Sequence, residues 1–231
     1  MSATMSKTVR ELALENPGAT RVFEQLGIDY CCGGQTPLED ACAAAKVSVD
    51  EVLAKLEAQT RAPGSGEDWQ KEPLARLIEH INRTHHAFVR SESARIRALL
   101  EKVCGVHGGN HPELLQVNAA FQALTEELSS HLMKEEQILF PYILGAEQGA
   151  APPACFGSVQ NPIRMMMFEH DNAGSVLREL RRLTGDYTAP ADACISYQTL
   201  FQALLGFEAD LHQHIHLENN ILFPRAMALE Q

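Results

Sequence analysis

The sequence predicts an all-α protein. An antiparallel four-helix bundle spans residues 71–231, preceded by a small helical domain at 1–58 and a linker at 59–70. Three observations predict this. Apolar residues recur at three- and four-residue spacing through most of the chain, and the alternation of a half-buried strand is absent. Four of these periodic stretches are long. The second half also carries one His-x3-Glu segment twice, which makes a pair of similar helical hairpins the natural unit of the bundle.

In the first domain, Val9, Leu12, Ala13 and Leu14 begin a helical pattern that stops at Asn16-Pro17-Gly18. Val22, Phe23 and Leu26 give a second short helix, ended by Gly27. The stretch Tyr30-Cys31-Cys32-Gly33-Gly34 is a turn, and Pro37-Leu38-Glu39-Asp40 opens a third helix. Ser48, with Glu51 three residues on, reads as the capping box of a fourth, whose apolar face is Val52, Leu53 and Leu56. A domain of about 50 residues is marginal by itself, so this one leans on the rest of the chain. The segment QTRAPGSGEDWQ is polar and rich in Pro, Gly and Ser, the composition of a linker.

From Pro73 onward, Leu74, Leu77, Ile78, Ile81, His85, Phe88 and Val89 share one helical face. Pro112 suits the first position of a second long helix, which carries Leu114, Leu115, Phe121, Leu124, Leu128 and Leu132 inward. Asn161-Pro162 opens a third, with Met165, Phe168, Leu177, Leu180 and Leu183. Ala189-Pro190-Ala191-Asp192 opens a fourth, with Leu200, Leu204, Leu205, Phe207 and Leu211.

Composition narrows the function. Lys plus Arg number 19 against 30 Asp plus Glu, a formal charge of −11. A nucleic-acid-binding surface must be cationic to displace counterions, so nucleic acid is not expected as a partner, nor is an anionic membrane. No apolar run approaches the roughly 18 residues of a membrane span. The N-terminus has no apolar signal segment, so a cytoplasmic location is expected. Six cysteines are too few for a disulfide scaffold. Cys42, Cys104, Cys155 and Cys194 read as small packed hydrophobes.

The histidines carry the chemistry. His131 to Pro141 and His214 to Pro224 both read H-x3-E-x2-I-L-F-P. Each copy is preceded, one helix earlier, by a further histidine, His85 or His170. Residues four apart on a helix lie on one face with Cβ atoms about 5–6 Å apart, so His131 with Glu135, and His214 with Glu218, can reach one metal. A single His-x3-Glu is an ordinary solvated pair. Two copies with matching flanks predict that the bundle gathers four His and two Glu in its core, a cluster costly to bury without a cation. Two histidines per ion and two bridging carboxylates favour two metals, and this donor mixture suits iron, manganese or zinc. Glu127 and Asp210 each lie four residues before a ligand histidine and are expected to accept its distal N–H.

His80, His85 and His86 crowd the first ligand position. His85 is preferred because it shares a face with Ile78, Ile81 and Val89. His86 points about 100° away on an α-helix and is assigned to the surface or to a position behind the ligands. His107 and His111, in a Gly-rich connection, read as loop and capping residues. Met165-Met166-Met167 reads as core.

These segments resemble the hemerythrin-like di-iron domain. Together with the Tyr30-Cys31-Cys32-Gly33-Gly34 signature, they make nearly the whole chain similar to the iron-sulfur cluster repair family (RIC, YtfE, ScdA, DnrN). The match rests on Glu126–His131 continuing to Pro141, on Glu169-His170-Asp171 and on Leu217-Glu218-Asn219-Asn220. The resemblance implies a non-haem centre of two iron ions held by His85, His131, Glu135, His170, His214 and Glu218, with Glu135 and Glu218 bridging through an oxo- or hydroxo-linked pair. It implies action on iron-sulfur proteins damaged by nitric oxide or oxidative stress, with iron donation the leading role. Nitric oxide binding or reduction is the alternative, and the catalytic residues stay unassigned. Cys31 and Cys32 are expected as redox or iron-handling thiols, since adjacent cysteines do not readily form an unstrained disulfide. Glu169 is expected beside a ligand, lining a path for iron or protons. The marginal first domain suggests homodimer contacts.

Overall fold

The computed structural model describes residues 7–60, 68–150 and 154–230. Among these the chain is all-α, and its β-type pairing is a single isolated bridge, Thr8 to Pro37. In chain order the elements are α1 (Val9–Glu15), α2 (Ala19–Gln25), α3 (Leu38–Ala45), α4 (Val49–Thr60) and α5 (Leu74–His80). A π-helical turn, π1 (Ile81–His86), leads into α6 (Ala87–His107). Then come α7 (Glu113–Lys134), π2 (Glu135–Leu139), α8 (Phe140–Glu147), α9 (Gln160–Leu183), α10 (Ile195–Leu217), π3 (Glu218–Leu222) and α11 (Phe223–Ala228). No helix among the described residues is long and apolar enough to cross a membrane. Residues 61–67 of the expected linker lie outside the described residues.

The chain divides into two compact units: Met1–Leu77 with His212–Leu229 and Gln231, and Ile78–Leu211 with Glu230. In the first, Thr8 caps α1 as a full capping box. Its hydroxyl accepts from the Glu11 N–H at 3.2 Å, and the Glu11 carboxylate accepts from the Thr8 N–H at 2.7 Å. Gly27, at φ +65°, ends α2 in the left-handed region that glycine enters without strain. The Ser48 hydroxyl accepts from the Glu51 N–H at the start of α4, as its spacing predicted. Val9, Leu12, Phe23, Ile28, Leu38 and Val52 close the core of these short helices. The C-terminal segment belongs to the same unit: Arg10 donates to the Asn220 carbonyl at 3.1 Å and Arg225 to the Trp69 carbonyl at 2.8 Å.

In the second unit α7 packs on both α6 and α9. Contacts between α6 and α7 run in opposite senses: Arg97 donates to Thr125, while earlier in the chain His86 meets Glu136 further on. The helices are therefore antiparallel. The α7 face predicted to be apolar is buried at Leu114, Phe121, Leu124, Leu128 and Leu132, but Leu115 is exposed. Phe121 meets Phe207 of α10 edge-on at 5.2 Å. Arg181 of α9 pairs with Glu208 of α10 at 2.8 Å. α10 begins at Ile195, later than the Ala189–Asp192 start read from sequence, and Leu205 faces outward.

The two His-x3-Glu motifs interrupt regular helix. Glu135 and Glu218 each begin a π segment, and Pro141 and Pro224 each sit in the first turn of the helix that follows. Proline inside an α-helix clashes with the carbonyl four residues back and cannot donate to it. A wider turn just before it relieves both problems, so the repeated I-L-F-P explains two of the three π segments. The third, π1, contains no proline.

Candidate metal centre

Within the second unit, π1, α7, π2 and α9 bring three imidazoles to one carboxylate. Glu135 is completely buried. Its Oε2 lies 3.3 Å from His131 Nε2 and 3.5 Å from His86 Nε2. His170 Nε2 stands 3.0 Å from His131 Nε2. His131, Glu135 and His170 each offer a ligand atom within 4.8 Å of the others.

The far nitrogens of His131 and His86 are committed. His131 Nδ1 is 2.8 Å from Glu169 Oε2, and Glu169 in turn pairs with Lys134. His86 Nδ1 is 2.7 Å from Glu136 Oε1, which Arg90 also reaches at 2.8 Å. The His131 hydrogen bond drops the Glu169 carboxyl to about 2, with Lys134 assisting and burial opposing. At Glu136 burial acts upward, and the bonds from His86 and Arg90 outweigh it, leaving the carboxyl below its ordinary value. An imidazole whose Nδ1–H is held by a carboxylate presents its Nε2 lone pair, the arrangement of a metal-ligating histidine. Converging Nε2 atoms beside a buried carboxylate fit a cation.

The first unit holds the second copy of the motif. His214 Nε2 lies 3.1 Å from Glu218 Oε1, and Glu218 is completely buried. Two residues on, Asn220 ties this segment to the cysteine turn. Its side-chain NH2 lies 3.1 Å from the Tyr30 carbonyl, 3.4 Å from that of Cys31 and 3.0 Å from His216 Nδ1. Burial pushes His216 down to about 4, so its ring is neutral and can accept. Cys31 and Cys32 are free thiols with sulfurs 3.8 Å apart. The Asp29 carboxylate accepts from the N–H groups of Cys31, Cys32 and Gly33 at 3.0–3.1 Å and shapes the turn. Contact with Cys32, then burial and Asp29, push the Cys31 thiol up, so it stays protonated.

Several placements differ from the sequence reading. His85 is not the histidine beside Glu135. Its Nδ1 is 3.0 Å from Asp210 Oδ1, and His86 takes the inner position. The cause is π1: the extra residue in its turn rotates His86 inward, whereas α-helical spacing puts it on the outside. The face shared with Ile78, Ile81 and Val89 pointed to His85, and only the adjacent doublet signalled the alternative. Asp210 thus serves His85. Glu127 is exposed, and Glu169 from the neighbouring helix takes the place beside His131 that spacing had given it. Glu136, the partner of His86, was not singled out from sequence, although it directly follows a predicted ligand. Of the three methionines only Met166 is core; Met165 and Met167 are exposed, as is Phe168.

A cavity of about 280 Å³ opens onto His131 and His170. Leu124, Leu128, Met165 and Phe168 give it apolar walls, and Lys134 and Glu169 give it a polar side.

Comparison with known proteins agrees with this geometry. Residues 76–226 match the family model of the hemerythrin HHE cation binding domain, so fold and site together define a hemerythrin-type cation-binding bundle. Residues 5–60 match the ScdA_N model, a domain of unknown function (DUF542). The chain is 39% identical over 219 residues to a probable iron-sulfur cluster repair protein of Haemophilus influenzae, covering 94% of this chain and 95% of that protein. It is 38% identical over 222 residues to the iron-sulfur cluster repair protein YtfE of Yersinia pseudotuberculosis, covering 96% and 97%. The same identity and coverage hold for YtfE of Yersinia pestis. The chain belongs to the YtfE family of iron-sulfur cluster repair proteins.

Proposed function

We propose that this protein repairs iron-sulfur clusters damaged by nitric oxide or oxidative stress by donating iron to them in the cytoplasm. His86, His131, Glu135 and His170 would hold iron through the first copy of the motif, and His214 and Glu218 through the second, for two iron ions in all. The observation that carries this reading is Glu135, a carboxylate without solvent exposure that faces the Nε2 atoms of His86 and His131. The duplicated H-x3-E motif supports a second, equivalent half, and the relatives' names support the repair role.

Bound iron would supply an exchangeable, redox-active cation. The protein's own groups do the rest. Glu136 and Glu169 hold the Nδ1 protons and so fix which nitrogen each imidazole presents. Lys134 balances the Glu169 charge at the cavity wall. Carboxylates switch between bridging and terminal binding at low cost, which suits a centre that gives up an ion without unfolding. Damaged iron-sulfur proteins would be transient partners.

The test is reactivation of a [4Fe-4S] enzyme inactivated by nitric oxide. Iron-loaded protein should restore activity in the presence of a ferrous chelator, and Glu135→Ala should not. Failure of the loaded protein where free ferrous iron succeeds would refute donation. The cavity favours one second reading, capture or reduction of nitric oxide, because its walls suit a small, weakly polar ligand reaching His131 and His170. Nitrous oxide produced over many turnovers under reductant would favour that reading.

A further inference from the structure

We propose that His107, His111 and Asp192 form a second, solvent-facing site for a divalent transition ion of the zinc type, separate from the buried His/Glu centre. One ring nitrogen of each histidine and an Asp192 carboxylate oxygen lie within 4.8 Å of one another. All three residues belong to the second unit.

Local structure explains the pairing. His107 is the last residue of α6, and the chain continues through Gly108-Gly109-Asn110. The His111 N–H still donates to the His107 carbonyl at 2.9 Å, so the four-residue spacing that stacks side chains on a helix persists past the helix end. The helix C-terminus adds the partial negative charge of its carbonyls, which favours a cation. Tyr197 packs against both rings, at 5.3 Å from His107 and 5.6 Å from His111, and limits their rotation.

The proton inventory points to a cation. His111 Nδ1 is 3.1 Å from Glu113 Oε1, and His111 Nε2 is 3.1 Å from both oxygens of Asp192. Both ring nitrogens therefore face carboxylates. A neutral imidazole has one N–H and serves only one of them, so the other needs a proton or a metal. With Glu113 holding Nδ1–H, Nε2 faces Asp192 as a lone pair, which is the carboxylate–histidine–metal order. Zinc ligands at about 2.1 Å in tetrahedral geometry stand about 3.4 Å apart, close to the 3.1 Å separation here. His107 Nε2 is shielded from solvent and has no hydrogen-bond partner. Two imidazoles and a carboxylate make three ligands, and the half-exposed Asp192 leaves a fourth position to water. The two carboxylates, Glu113 and Asp192, balance a dication.

The test uses the full chain with its iron already loaded and Zn2+ as the probe, followed by gel filtration and metal analysis. Wild type should retain one more zinc equivalent than His111→Gln. Glu113→Gln should weaken that equivalent about tenfold. Co2+ in place of Zn2+ should give tetrahedral visible bands in wild type that are missing in Asp192→Asn. His111 and Asp192 lie outside the core, and circular dichroism checks that the variants remain folded. Equal zinc retention in wild type and His111→Gln, with no difference in the Co2+ spectrum of Asp192→Asn, would overturn the proposal and leave a hydrogen-bonded clamp.

Discussion

Replacing His86 and His85 one at a time separates the two candidates for the first ligand. His86 is fully buried, stacks on Phe140 with ring centroids 5.7 Å apart and bonds Glu136 at 2.7 Å. His86→Ala removes a hydrogen bond to a charged group, worth about 1.5–3 kcal/mol, and opens a ring-sized cavity. A metal-free cost of about 2–4 kcal/mol follows. For a chain of this size each kcal/mol moves Tm by roughly 2–4 °C. His85→Ala loses the 3.0 Å contact with Asp210, a half-buried partner, and costs about 1–2 kcal/mol. Stability alone thus ranks the variants without assigning the ligand, and metal content decides. Iron per chain after anaerobic loading, with Mössbauer spectra of iron-57 protein, should show His85→Ala retaining the wild-type count and a coupled, N/O-ligated centre. His86→Ala should lose iron at the His86 position. Iron lost from His85→Ala but kept by His86→Ala would refute the inward turn assigned to π1.

Three further outcomes are expected. Glu169→Gln should weaken iron binding about 10–100-fold by loosening the orientation of His131, read by competition with a ferrous chelator. Glu230 accepts from the Val159 N–H at 2.9 Å and from the Tyr142 and Ser158 hydroxyls at 2.7 Å, and these bonds, the backbone one foremost, hold its carboxyl below the ordinary 4.5. The stability it adds is present above 4.5 and is lost as pH falls through the lowered value. Carboxyl NMR should find Glu230 titrating below 4.5 and rising in Tyr142→Phe; no rise would break the assignment. Phe121→Ala, at a fully buried ring against Phe207, should cost about 3–5 kcal/mol in urea unfolding, whereas exposed Leu115→Ala should cost less than 1.

The sequence by itself determined what depends on near neighbours. Helical period gave the helices, Ser48 and Gly27 mark ends, and four-residue spacing paired His131 with Glu135 and His214 with Glu218, because residues one turn apart meet whatever the rest of the chain does. Tertiary structure decided contacts whose partners are distant in sequence or whose helix is irregular. A π turn exchanged His86 for His85, and no periodicity built on 3.6 residues per turn anticipates that. Glu169 reached His131 from another helix, while Glu127, closer in sequence, kept its solvation at the surface. Asp192 met His111 across 81 residues. Such pairings follow from how helices pack, and packing is set by the summed burial of many side chains rather than by any one motif.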